Sequence, residues 1–203
     1  MNLRPAKRIF DVLISFSGIV VLLPLLFAIS LLILLSEGRP VLFIQERVGY
    51  QGRRFHMWKF RTMVPNAESL GGTLTVGDDG RVTAVGRWLR KYKFDELPQL
   101  FNVLRGEMSL VGPRPEVPRY VARYSQEQQA VLDLYPGITD PASITYREEN
   151  RLLAESADPE RTYIESVMPD KIAINMSYAA HASLWSDFLV LIKTAVKVFA
   201  KRE

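Results

Sequence analysis

Cysteine is absent from this 203-residue chain, which excludes disulfides, thiolate metal sites and a cysteine nucleophile. Histidine is nearly absent: His56 and His181 stand alone, without the HxxxH spacing of a zinc site. No zinc knuckle, RNP-like aromatic motif or basic helix-turn-helix occurs, so no nucleic-acid partner is expected. Charge is missing altogether from residues 12–35, a run longer than the roughly 20 apolar residues that cross a hydrocarbon core. That run is too long for the apolar region of a signal peptide, and no small-residue cleavage site follows it. Internal repeats and low-complexity segments are also lacking. The length suits one compact domain plus a membrane element rather than two large domains.

What is present is unevenly charged. Residues 1–105 hold 15 Lys/Arg against 8 Asp/Glu, whereas residues 106–203 hold 11 against 14. A basic half beside an apolar run suits anionic lipid headgroups or phosphorylated substrates. Within the run, Pro24 removes a backbone hydrogen bond and predicts a kink. Both flanks are basic, with Arg4, Lys7 and Arg8 before and Arg39, Arg47, Arg53 and Arg54 after, so the positive-inside rule orients nothing. A plain transmembrane anchor and a re-entrant helix that turns at Pro24 both satisfy these features. Ser15, Ser17 and Ser30 are available to carbonyls freed by a bend, or to a neighbouring helix. Residues 183–202 read as a helix with Lys193, Lys197 and Lys201 on one face and Leu189, Ile192, Val196 and Phe199 largely opposite. This pattern fits a helix lying in a membrane interface, or one docked on the core with solvated lysines.

Between these ends, residues 41–47 and 55–60 are β-leaning runs around Gly49-Tyr50-Gln51-Gly52, a hairpin pattern. A brief helix is expected at 66–70 and a long glycine-marked loop at 71–80, followed by a basic helix at 85–91. Asp95 is placed to N-cap a helix through Leu97, Leu100, Val103 and Leu104. Gly112-Pro113-Arg114-Pro115 reads as a rigid extended turn. Residues 118–134 look helical, and Asp158-Pro159 and Pro169-Asp170 each open a short helix, the second over 171–181.

The chemistry concentrates at Asp95-Glu96-Leu97-Pro98-Gln99, which closes a run of cations, Arg87, Arg90, Lys91 and Lys93. A carboxylate among positive charges stays ionised and can meet a phosphorus centre that anion repulsion would otherwise keep away. Acidic residues also favour the first turn of a helix for structural reasons alone. Arg90 and Arg114 are planar forks suited to phosphate oxygens, and Lys59 and Arg61, two apart on a strand, share a side. Glu96 beside Asp95 offers hard oxygens to Mg²⁺ bridging a diphosphate. With no cysteine and no histidine nearby, a metal-assisted aspartate nucleophile is the economical scheme for phosphoryl transfer.

These residues carry a resemblance. Lys7-Arg8-x-Phe10-Asp11, Lys59-Phe60-Arg61-Thr62-Met63, Asp95-Glu96-Leu97-Pro98-Gln99, Asn102-Val103 and Gly106-x-Met108-Ser109-x-Val111-Gly112-Pro113-Arg114-Pro115 resemble the bacterial sugar transferases, the monotopic phosphoglycosyl transferases. The likeness runs in order over nearly the whole chain, which looks like the minimal form without the extra transmembrane helices of longer relatives. It implies transfer of a sugar 1-phosphate from a UDP-sugar to undecaprenyl phosphate, releasing UMP, at the start of surface-glycan assembly. It implies a ping-pong mechanism in which Asp95 forms a phosphosugar intermediate, Glu96 holds Mg²⁺, and Lys59, Arg90, Arg114 and, more weakly, Arg61 meet phosphate.

The expected fold is mostly α with a small β-hairpin. A re-entrant helix bent at Pro24 would occupy residues 1–38. A compact cytoplasmic catalytic domain would occupy residues 39–203, with interfacial amphipathic helices including one at about 183–202. The expected location is the cytoplasmic face of the bacterial inner membrane, with its lipids as partners; a homo-oligomer is left open. Three positions depart from the pattern: Leu23-Pro24 where some relatives have Ser-Pro, Asp140-Pro141-Ala142-Ser143 after Pro136-Gly137-Ile138-Thr139, and Asn175 where relatives often have aspartate. A non-catalytic membrane scaffold and a hydrolase of lipid-linked diphosphates are the rival expectations.

Overall fold

The charge-free run forms the middle of one long helix. In the computed structural model, which describes residues 5–71 and 74–199, α1 covers Pro5–Glu37 with Pro24 inside it. Its buried residues Asp11, Ser15, Leu26, Ile29 and Ile33 recur at helical spacing and form one stripe. Between them, Gly18 lies against Leu100, and Leu22 and Leu25 pack beside Leu26. The stripe therefore contacts the rest of the protein along its length. Other sides of the helix are apolar and uncovered, with Val21 and Leu35 more than three-quarters exposed. By length and composition α1 suffices to cross a membrane.

Polar contacts fix both ends of α1. Lys7 pairs with Asp187 at 2.6 Å, Arg8 donates to the carbonyls of Val103 and Leu104, and Asp11 accepts from the Leu110 amide. At the other end Arg61 donates to the carbonyls of Glu37 and Gly38 at 2.7 and 3.0 Å, supplying cationic donors where a helix C-terminus leaves carbonyls free. Residues singled out by the family-like block Lys7-Arg8-x-Phe10-Asp11 thus hold the apolar helix to the body.

The hairpin is as expected: β1 (Leu42–Val48) and β2 (Arg54–Phe60) pair antiparallel, Leu42 opposite Phe60. Their turn uses left-handed Gln51 and Gly52. The short helix α2 (Ala67–Gly71) precedes α3 (Ala84–Lys91), which is N-capped by the Thr83 hydroxyl. A Cβ on Gly86 would fall 2.1 Å from the Thr62 carbonyl oxygen, so α3 docks on Thr62 at a distance only glycine permits. A 3-10 turn, Phe94–Glu96, leads into α4 (Gln99–Arg105). The expected capping role of Asp95 is corrected here: Pro98 is the N-cap, with no side-chain bond.

The parallel pair β3 (Ser109–Val111) and β4 (Gly137–Thr139) has too few residues to leave a periodic signal. A helix expected over 118–134 is instead α5 (Pro118–Val121) and a 3-10 segment, Gln128–Asp133. Beyond β4 come α6 (Pro141–Thr145), α7 (Glu149–Ala154) and α8 (Pro159–Thr162). A π-helical turn, Tyr163–Val167, joins α8 to α9 (Met168–Ala180). Pro169 cannot donate a backbone hydrogen bond, and the wider π turn relieves its clash with the preceding turn. The last helix, α10 (Leu184–Phe199), buries Asp187 and Val190 and exposes Trp185, Ile192 and Val196. Lys201 lies outside the described residues.

Candidate active site

Asp95 and Glu96 are positioned by an unusual backbone turn. Lys93, just after α3, adopts the left-handed conformation at φ 58°, a costly state for a non-glycine residue that recurs at functional sites. It reverses the chain and turns the following two carboxylates inward. Glu96 is gripped by both arms of Arg114, at 2.7 and 3.0 Å, and lies 3.8 Å from the ammonium groups of both Lys59 and Lys93. Arg114 is held in turn by the Ile138 carbonyl and by its place between two prolines. Burial alone would raise the Glu96 carboxyl, but Arg114, Lys59 and Lys93 outweigh it and hold Glu96 well below the usual carboxylate range. It is ionised at any physiological pH.

Asp95 differs. It is 6% exposed, and its Oδ1 has no hydrogen-bond partner among the described residues. Burial and the neighbouring Glu96 charge raise its carboxyl above the ordinary value, with Lys59, Lys93 and Arg90 pulling the other way. The cations act in the expected direction, but burial and Glu96 outweigh them. Two adjacent buried carboxylates are pushed apart, one firmly anionic and one of raised basicity. Raised basicity makes an ionised carboxylate the better nucleophile.

Two cations flank the pair. Lys59, the penultimate residue of β2, is lowered to about 7 by burial and by Arg114, with Glu96 and Asp95 opposing. Arg90 donates to the Thr62 hydroxyl at 2.8 Å and is close enough for its charge to stabilise Asp95. The structure thus gathers Asp95, Glu96, Lys59, Arg90 and Arg114. Arg61 stands apart: β2 ends at Phe60, and the Arg61 guanidinium turns to the end of α1. Lys93, expected among the cations beside Asp95, also contributes a backbone state that no residue pattern announces. Two further residues, Thr62 and Gln99, were not evident as members; Thr62 acts by orienting Arg90. Gln99, one helical turn beyond Asp95, is fully buried with both amide atoms unpartnered among the described residues. Asn102, three residues on and equally buried, bonds to His56, Trp58 and Glu107.

The pair suits a hard cation only in part. No cluster of three His, Cys, Asp or Glu exists among the described residues. Mg²⁺, however, keeps several waters and takes one or two carboxylates plus substrate phosphates. Glu96 retains lone pairs beyond those Arg114 uses, and Asp95 has an unengaged oxygen. The residues therefore fit Mg²⁺ completed by the oxygens of a bound diphosphate.

The sequence comparisons agree in direction. The model of the family described as bacterial sugar transferase matches residues 2–201. A UDP-N-acetylgalactosamine-undecaprenyl-phosphate N-acetylgalactosaminephosphotransferase of Aeromonas hydrophila is 38% identical over 191 residues, covering 93% of this chain and 42% of the relative. An undecaprenyl-phosphate glucose phosphotransferase of Komagataeibacter xylinus is 36% identical over 195 residues, covering 93% and 35%. The exopolysaccharide production protein ExoY of Sinorhizobium fredii is 32% identical over 212 residues, covering 97% and 87%. The chain spans about two-fifths of the length of the first two. With a match that takes in its hairpin, its paired carboxylates and its apolar helix alike, the chain belongs to the bacterial sugar transferase family.

Proposed function

We propose that this protein transfers a sugar 1-phosphate from a UDP-sugar to undecaprenyl phosphate, releasing UMP and starting assembly of a surface glycan. The observation that carries the reading is the split pair: Asp95, buried with raised basicity, beside Glu96, locked as an anion by Arg114. A carboxylate oxygen of Asp95 attacks the β-phosphorus of the donor. The bond from that phosphorus to the bridging oxygen breaks, and its electron pair leaves on UMP. An oxygen of undecaprenyl phosphate then attacks the phosphorus of the acyl phosphate, and Asp95 departs as a carboxylate. Lys59, Arg90 and Arg114 neutralise the donor's phosphate oxygens. Glu96 would hold Mg²⁺, which when bound offsets charge developing on the diphosphate.

The membrane arrangement follows the same reading. Both ends of α1 are clamped to one body, through Lys7 and Arg8 at the start and Arg61 at the finish. That supports a re-entrant helix bent at Pro24, which enters and leaves the cytoplasmic face of the inner membrane. Asp95 then sits at the depth of the acceptor's phosphate. Residues 1–38 act as the membrane element and 39–203 as the catalytic domain, with the apolar face of α10 in the interface. A scaffold has no need of a buried aspartate with an unpartnered oxygen or a lysine lowered to about 7.

Purified protein given undecaprenyl phosphate, Mg²⁺ and a panel of UDP-sugars is expected to release UMP and form a lipid-diphosphate sugar with at least one donor. UMP release over many turnovers without lipid, with free sugar phosphate as the product, would identify a hydrolase instead. Absence of any product across the panel would overturn the proposal.

A further inference from the structure

Arg47 belongs to the basic flank of the apolar run, yet its side chain turns inward from β1 and is only 17% exposed. We infer that Arg47 is a positioning residue for the transfer: it fixes the turn that carries Arg114 and so aims that guanidinium at the donor's diphosphate. The inference rests on the proposed role of Arg114 at the diphosphate and names the side chain that holds it there.

The turn is pinned on both sides of Arg114. Upstream, the Pro113 carbonyl accepts from the Gly137 amide at 2.9 Å, which ties the turn to β4. Downstream, the Pro115 carbonyl accepts from Arg47 Nη1 at 3.0 Å, and the Glu116 carbonyl accepts from the Val48 amide at 2.9 Å. These two bonds tie the turn to β1, and of the three only the one to Pro115 comes from a side chain. The rest of the Arg47 guanidinium is equally committed. Its Nε and Nη2 donate to Gln45 Oε1 at 3.0 and 2.6 Å, and Nη1 lies 3.9 Å from Glu116 Oε2. Glu116 is held in turn by the Tyr163 hydroxyl. Prolines on either side leave the Arg114 backbone little freedom, so a shift of Pro115 carries Arg114 with it.

Packing alone does not call for a cation at this place. Arg47 is close enough to Arg114 and Lys59 for their charges to oppose one another, and like charges gathered away from water are costly. A neutral donor would bond the Pro115 carbonyl without that cost. A site that receives a diphosphate gains from the same crowding, because the anion relieves it on arrival. With all three nitrogens taken up by Gln45, Pro115 and Glu116, Arg47 acts through Arg114 rather than on the donor. The leverage is large, since a misplacement of about 1 Å can cost on the order of a hundredfold in rate.

The test measures UDP binding by calorimetry to the full chain in lipid nanodiscs, together with stability in denaturant. Arg47→Met is expected to weaken UDP on the order of tenfold or more in folded protein. Arg47→Lys, which keeps a donor for the Pro115 carbonyl, is expected to recover part of that loss. Arg47→Gln serves if the methionine variant does not fold. The same change is then made beside Arg114→Lys, which keeps a charge on Glu96 but loses the fork. There the loss from Arg47→Met is expected to shrink below about twofold, because the group it aims is gone. An equal loss in both backgrounds, lowered stability with unchanged UDP affinity, or no UDP binding by the native protein would overturn the inference. UDP binding with the expected coupling, in a protein that makes no lipid-diphosphate sugar, would uphold the role of Arg47 and reject the proposed reaction, so the two failures are distinct.

Discussion

At the residue scale, the site is a set of buried charges that disagree about their protonation. Asp95 must be ionised to attack, and its raised carboxyl predicts that kcat/KM climbs with pH beyond the usual carboxylate range. Lys59, lowered to about 7, loses its positive charge as pH rises through that value, so the donor KM is expected to increase on the alkaline side. Lys59→Arg, which stays charged, is expected to flatten that alkaline rise in a pH–KM profile. A variant with the native profile would remove Lys59 from phosphate binding. The same group has a stability signature. Between about 7 and its ordinary 10.5 the unfolded chain holds the Lys59 proton more tightly, so its burial penalty is fully present below 7 and fades as pH rises. Arg114→Met removes the two-pronged cationic partner of Glu96; stability measured by denaturant is expected to fall by about 3–5 kcal/mol, with activity lost in parallel. Much of this site was legible in the residues: Asp95, Glu96, Lys59, Arg90 and Arg114 converge. Arg61 is not brought to the cluster, because alternation along a strand says nothing once the strand has ended. Lys93 was legible as a cation but not as a turn, because a left-handed lysine has no signature in the residue pattern.

At the element scale, α1 is the informative piece. A helix of 33 residues is about 50 Å long if straight. A simple span would leave only one of its ends near the globular part, whereas here residues near both ends hold the same body. The chain's lack of cysteine gives a clean background for labelling. Ala6→Cys and Gln51→Cys, at the start of α1 and in the hairpin turn, are expected to react with an impermeant thiol reagent from the same side of a membrane vesicle. Reaction from opposite sides would establish a span. Long periodic elements such as α1, α3, α9 and α10 were readable from their patterns, as was the hairpin from its turn. β3 and β4 were not, being three residues each. Their pairing depends on close backbone approach: a Cβ on Gly112 would lie 2.2 Å from the Tyr135 carbonyl oxygen. The region 118–134 reads as one helix by composition, yet its tertiary contacts break it into α5 and a 3-10 segment, because local propensity is a weak prior against packing.

At the scale of the whole molecule, apolar and charged surfaces are sorted toward one task. α1 and α10 leave apolar faces uncovered, with Trp185 more than two-thirds exposed, while the paired carboxylates are buried among cations. The uneven charge of the two halves pointed to this arrangement before any fold was visible. The proposed transfer requires a covalent link between donor and enzyme. Intact-protein and peptide mass spectrometry, on enzyme quenched after exposure to the UDP-sugar without lipid, tests it most directly. The predicted result is a mass increase of one phosphosugar on the peptide containing Asp95, lost on adding undecaprenyl phosphate and never formed by Asp95→Asn. Normal turnover with lipid but no adduct at any quench time, or full turnover by Asp95→Asn, would contradict it.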